Sequence, residues 1–101
     1  MWLFALFDLP VETSQDKREY VLFRTELLKE GFTMIQYSVY ARYFGSEESA
    51  EVHRKRIKEA LPPDGHVRLL GVTDHQFGKM EIYFGKKRVP VEEPPTQLAL
   101  F

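Results

Sequence analysis

The chain has 101 residues, enough for one domain with a single modest core. Hydrophobic residues make up 44% and aromatic residues 14%, a composition that folds rather than staying disordered. The absence of cysteine excludes disulfides, thiolate zinc sites and cysteine nucleophiles, and a net charge of −1 makes no case by itself for nucleic-acid binding. The charge is uneven, however: residues 1–50 carry five basic and eight acidic groups, and residues 51–101 carry nine and seven. No apolar run approaches the roughly 20 residues that cross a bilayer, and the start lacks the basic region and cleavage site of a signal peptide. A cytoplasmic protein without a membrane partner is expected, which also suits a chain without cysteine.

Trp2-Leu3-Phe4-Ala5-Leu6-Phe7 is almost wholly apolar and predicts a central strand buried on both faces. Asp8-Leu9-Pro10 breaks it. Thr13 or Ser14 caps a helix running to about Glu30, with Asp16 in its first turn and Gly31 as its stop. Tyr20, Phe23, Leu27 and Leu28, with Val21 nearby, give that helix one apolar face. Phe32 to Phe44 is rich in aromatic and β-branched residues and predicts strand, either one bent strand or a short hairpin, since no turn residue interrupts it. Ser46-Glu47-Glu48-Ser49 opens a second helix, which Pro62-Pro63-Asp64-Gly65 stops after about Leu61. His66 to Thr73 predicts a further strand, Asp74 to Gly78 a connector, and Met80 to Phe84 a short strand. Prolines 90, 94 and 95 exclude a helix or central strand in the tail. The order is that of an α+β sandwich, with helices on one face of a mainly antiparallel sheet. Residues 1–85 form the domain and residues 86–101 a C-terminal strand and tail.

Asp8 is the leading candidate for chemistry. As a turn acid it would cap the following helix or tie down a loop. As a metal ligand it would offer the hard oxygen that suits Mg2+ or Mn2+. One carboxylate per chain makes a thin site unless a twofold axis brings two copies together. Lys17 and Arg18, at the start of the first helix, are either a solvated surface or phosphate contacts that need no base readout. Arg54, Lys55, Arg56 and Lys58 are open to the same two readings, and some are expected to pair with Glu51 and Glu59. His53, His66 and His75 lack metal-ligand spacing and are expected to be surface or capping residues. Ser38 has no visible base or oxyanion site, and no glycine-rich phosphate loop is present. The aromatic stripes are expected to be core rather than a stacking surface.

Taken together, the strand ending in Asp8-Leu9-Pro10, then Thr13, Lys17-Arg18, Tyr20, Phe23-Arg24, Gly31-Phe32 and Gln36-Tyr37-Ser38-Val39-Tyr40, resemble the small CRISPR-associated adaptation proteins known as CRISPR-associated endoribonucleases. Val67 to Phe77 and Met80-Glu81-Ile82 extend the resemblance over about residues 1–85. The tail ending Gln97-Leu98-Ala99-Leu100-Phe101 is similar to that of the subset found in type II systems. The resemblance implies a ferredoxin-like β-α-β-β-α-β fold and a homodimer in which a last strand, here around Val89-Pro90-Val91, extends the partner's sheet. It implies a divalent-metal site of Mg2+ or Mn2+ at Asp8, the catalytic residue, facing its symmetry mate. It also implies phosphate contacts from Lys17 and Arg18, and as partners the CRISPR integrase, duplex DNA and single-stranded RNA. The expected role is spacer acquisition in antiviral defence, as a dimeric scaffold with an endonuclease site. A stand-alone toxin-like ribonuclease of the same fold is the alternative. The apolar residues Leu98, Leu100 and Phe101 are expected to anchor the tail on a partner.

Overall fold

In the computed structural model, which describes residues 1–95, the apolar opening segment becomes strand β1 (Trp2–Asp8). It is followed by helix α1 (Ser14–Lys29), the hairpin β2 (Thr33–Gln36) and β3 (Val39–Tyr43), helix α2 (Glu47–Glu59) and strand β4 (His66–Val72). A one-turn helix α3 (Asp74–Gly78) and a small hairpin of β5 (Ile82–Phe84) and β6 (Lys87–Val89) complete the described elements. The main sheet has the order β2-β3-β1-β4 with antiparallel neighbours, and β5–β6 forms a separate two-stranded sheet. This is the expected ferredoxin-like α+β arrangement.

The caps explain the helix boundaries. The Thr13 hydroxyl accepts from the Asp16 amide at 3.0 Å, and the Asp16 carboxylate accepts from the Thr13 amide at 3.1 Å. Ser46 caps α2 in the same way, accepting from the Ser49 amide at 3.2 Å. Segment 74–78, expected as a connector, is a helical turn because Thr73 and Gln76 form a second capping box. The stretch from Phe32 to Phe44 is a hairpin. Its turn is Tyr37-Ser38, where Ser38 takes a left-handed φ of 61° without glycine.

Strand alternation assigns the two faces of the sheet. Leu3, Ala5 and Phe7 point to the helices and pack with Phe23, Leu27, Phe32, Tyr40, Phe44 and Ile57. On α1 the buried residues are Phe23 and Leu27, whereas Leu28 and Val21 are exposed. The apolar stripe is therefore narrower than the spacing predicted, because only residues directly over β1 and β3 reach the sheet. Trp2, Phe4 and Leu6 point to the opposite, outer face with Ile35, Val39, Ala41, Tyr43 and Val72. No helix of α1 or α2 covers this face. Among the described residues, α3 and the following segment reach it, with Phe77 stacked on Trp2 at 3.9 Å and Met80 and Val91 beside them. Pro90, Pro94 and Pro95 lie outside any helix or strand, β6 ends at Val89, and Leu98, Leu100 and Phe101 fall outside the described residues. Among the described residues, no helix is long and apolar enough to cross a membrane.

Candidate active site

Asp8 is the last residue of β1, and alternation places its side chain on the outer face with Phe4 and Leu6. It is exposed, and among the described residues its carboxylate has neither an ion pair nor a hydrogen bond. Two neighbours define its position. Gly65, with a φ of 91°, packs so closely that a Cβ there would stand 2.6 Å from the Asp8 carbonyl oxygen and 2.8 Å from Leu9 Cδ2. Its role exceeds that of a helix stop, since only glycine fits both the space and the backbone angle. Gly65→Ala is expected to destabilise the fold by about 1–3 kcal/mol and to displace the end of β1. A denaturant melt and the amide resonances of Asp8 and Leu9 will report both effects.

The second neighbour is His66, directly opposite Asp8 in the β1–β4 ladder and therefore on the same face. Arg68 follows on that face opposite Leu6. Sequence spacing gives no hint of either, because the pairing depends on register between strands far apart in the chain. Of the other histidines, His75 is exposed as expected. His53 departs from expectation: it is largely buried, its Nδ1 lies 2.7 Å from Glu30, and Arg42 lies 3.0 Å from Nε2.

Lys17 and Arg18 occupy the first turns of α1, both exposed and both without an ion pair among the described residues. Adjacent helical residues diverge by about 100°, so the two cations serve different faces. Lys17 lines up with Tyr20 and Arg24, while Arg18 shares the side of the exposed Val21 and Leu22. On α2, Arg54 is held by Glu47 and Glu51 at 3.5 and 3.4 Å, and Arg56 reaches Glu30 at 3.4 Å, leaving Lys55 and Lys58 as the unpaired cations there among the described residues. The neighbouring Tyr20 phenol raises the Tyr37 phenol above its usual pKa.

The donor set decides what cation chemistry one chain can support. Among the described residues, no three histidine or carboxylate side chains gather around one point. Asp8 alone does not make a binding site. Two Asp8 carboxylates do match the hard-oxygen, water-rich coordination of magnesium, which often takes one or two carboxylates and completes its shell with water and phosphate oxygens.

A family model described as CRISPR associated protein Cas2 matches residues 1–80. The chain is 52% identical to the CRISPR-associated endoribonuclease Cas2 of Parvibaculum lavamentivorans, over the full length of both chains. It is 46% identical to the protein of the same name from Flavobacterium psychrophilum, over all of this chain and 88% of the relative. A third relative of that name, from Acidovorax ebreus, is 42% identical with both chains covered in full. Length, fold and matched residues agree, and the chain belongs to the Cas2 family of CRISPR-associated proteins.

Proposed function

We propose that this chain is a CRISPR-associated endoribonuclease, as its relatives are named, that works as a homodimer and serves spacer acquisition by holding duplex DNA against the CRISPR integrase. The observation that carries this reading is the position of Asp8 at the margin of an apolar sheet face that no long helix covers among the described residues. Leu70 is 52% exposed on that face, and Phe84 in the adjoining hairpin is 83% exposed. Between Phe84 and the sheet residues Phe4, Ile35 and Val39 runs an open groove of about 630 Å³. An apolar surface of this kind suits a self-complementary interface, and a twofold axis through it brings the two Asp8 residues toward each other.

In that dimer the paired Asp8 carboxylates would hold Mg2+ or Mn2+, which would supply charge neutralisation at a scissile phosphate and activation of water near neutral pH. The chain's own residues do the rest. Asp8 orients from the rigid end of a central strand, pinned by Gly65 and opposed by His66. Lys17 and Arg18 take phosphate oxygens, which gives affinity without sequence preference. A net charge of −1 fits a division of labour in which the integrase supplies much of the positive surface around the duplex.

The test is integration of a short labelled DNA duplex into a repeat array by the cognate integrase, run without this protein, with wild type and with Asp8→Asn. Restoration by both versions establishes a scaffold whose metal site is dispensable to it. Restoration by wild type alone makes the Asp8 site part of the acquisition machinery. Failure of both overturns the acquisition role and favours a stand-alone ribonuclease.

A further inference from the structure

The rings of Phe7, Tyr20 and Tyr37 form a ladder that climbs from the core to the surface beside the end of β1. Phe7 is buried, and its centroid lies 5.9 Å from that of Tyr20. Tyr20 is half-buried and stacks on Tyr37 at 6.3 Å with 21° between the planes. Tyr37 is 76% exposed, so one face of the outermost ring is open to solvent. An isolated exposed tyrosine would mean little, but this one is held in place. The left-handed Ser38 fixes the turn, its carbonyl accepts from the Phe7 amide at 3.1 Å, and its hydroxyl lies 3.5 Å from the Tyr20 hydroxyl. A ring that is both solvent-open and backed by a second ring loses little freedom when a flat partner lands on it.

The charges around the ladder say what that partner is. Lys17 and Arg24 flank Tyr20 at spacings of three and four residues, which puts all three on one stripe of α1. Arg24 uses its Nε to donate to the Tyr40 hydroxyl at 2.8 Å, leaving its terminal nitrogens without a partner among the described residues. Asp16, Glu19 and Asp64 line a small pocket against Tyr20 that does not include Tyr37. Anions are thus steered to the Lys17–Arg24 stripe and away from the acidic pocket. The residues next to Tyr37 in the chain, Gln36 and Ser38, are polar, so the ring is not the centre of an apolar protein-docking patch. A flat aromatic group joined to phosphates fits, and a nucleic acid offers that only where a base is unpaired.

We propose that Tyr37 is a stacking platform for one unpaired base of single-stranded RNA, with Lys17 and Arg24 taking the phosphates on either side. This inference rests on the endoribonuclease reading and adds how the strand is held: by a ring and not by base-edge contacts. Binding should therefore show weak base preference.

The experiment is fluorescence anisotropy of a labelled oligouridine in chelator, so that binding is measured without cleavage. A second oligonucleotide carries abasic sites on the same backbone. Tyr37→Phe keeps the ring and is expected to bind oligouridine as wild type does. Tyr37→Ala is expected to bind it roughly 10-fold to 100-fold more weakly, the usual loss of one stacked base. On the abasic strand all three proteins should bind alike, because the platform has nothing to stack. Equal affinity of Tyr37→Ala and wild type for oligouridine overturns the proposal, as does an equal loss on the abasic strand or a failure of wild type to bind. Magnesium-dependent cleavage of the same oligouridine is scored separately. Cleavage without a Tyr37 effect rejects the platform and spares the nuclease, whereas Tyr37-dependent binding without cleavage does the reverse.

Discussion

Replacing Asp8 with asparagine is expected to lower magnesium-dependent RNA cleavage by at least about a hundredfold while leaving the fold and the dimer mass unchanged. The amide keeps the size of the side chain but loses the charge that a hard cation requires. Because Asp8 is exposed and unpaired among the described residues, its removal leaves no buried group unsatisfied and should not shift the melting temperature. The sharper form of the prediction uses mixtures. A site shared by two chains works only when both carry aspartate, so dimers reassorted from equal parts wild type and Asp8→Asn should retain about a quarter of the wild-type activity. A site complete within one chain would retain about half. Quantifying cleavage against the mixing ratio after dissociation and reassociation tells the two apart.

The largest effect on stability is expected at Glu30. This residue caps α1, is 8% exposed, and is the buried charged residue of the described core. Its carboxylate takes His53 Nδ1 at 2.7 Å and Arg56 at 3.4 Å, and its carbonyl accepts from Arg42 at 2.7 Å. Arg42 also lies over the Phe44 ring, 4.6 Å from its centroid. The cluster therefore joins the end of α1 to β3 and α2. A His53 ring protonated on Nδ1 satisfies both neighbours, donating to Glu30 and accepting from Arg42 on Nε2. Glu30→Ala leaves that buried donor without its acceptor, while the Arg42 bond to the main-chain carbonyl survives, and is expected to reduce stability by about 2–3 kcal/mol. In a domain of this size that lowers the melting temperature by on the order of 10 °C or more. Most of the loss comes from the His53 contact, since Arg56 is more than half exposed and its bridge adds little. Glu30→Gln, which keeps an acceptor for His53, should recover part of the loss in the same thermal melt.

The parts of this fold that could be read from the chain are those where a local signal and the tertiary structure agree. An unbroken apolar run became the central strand, and Thr13, one of the two caps the sequence offered, starts α1 with Asp16. The hairpin turn escaped because Ser38 adopts its backbone angle under the pull of contacts to Phe7 and Tyr20, where a glycine or asparagine would have announced it. Thr73 and Gln76 carry a capping box in plain view, yet five residues give no helical period to support it. Asp8, Lys17 and Arg18 were legible as candidates because strand ends and helix starts are local features. His66 opposite Asp8, the Glu30–His53 contact and the open face of Tyr37 depend on register and packing between segments distant in sequence.

The stacking of Phe77 on Trp2 has an experimental use. Trp2 is the chain's single tryptophan, and it lies on the outer sheet face between Phe77 and the edge of Tyr43, 5.5 Å away. Its emission therefore reports from that face alone. Any partner or ligand that rearranges the face should move the wavelength and the lifetime of one indole, so the proposed dimerisation can be tested by dilution without attaching a dye.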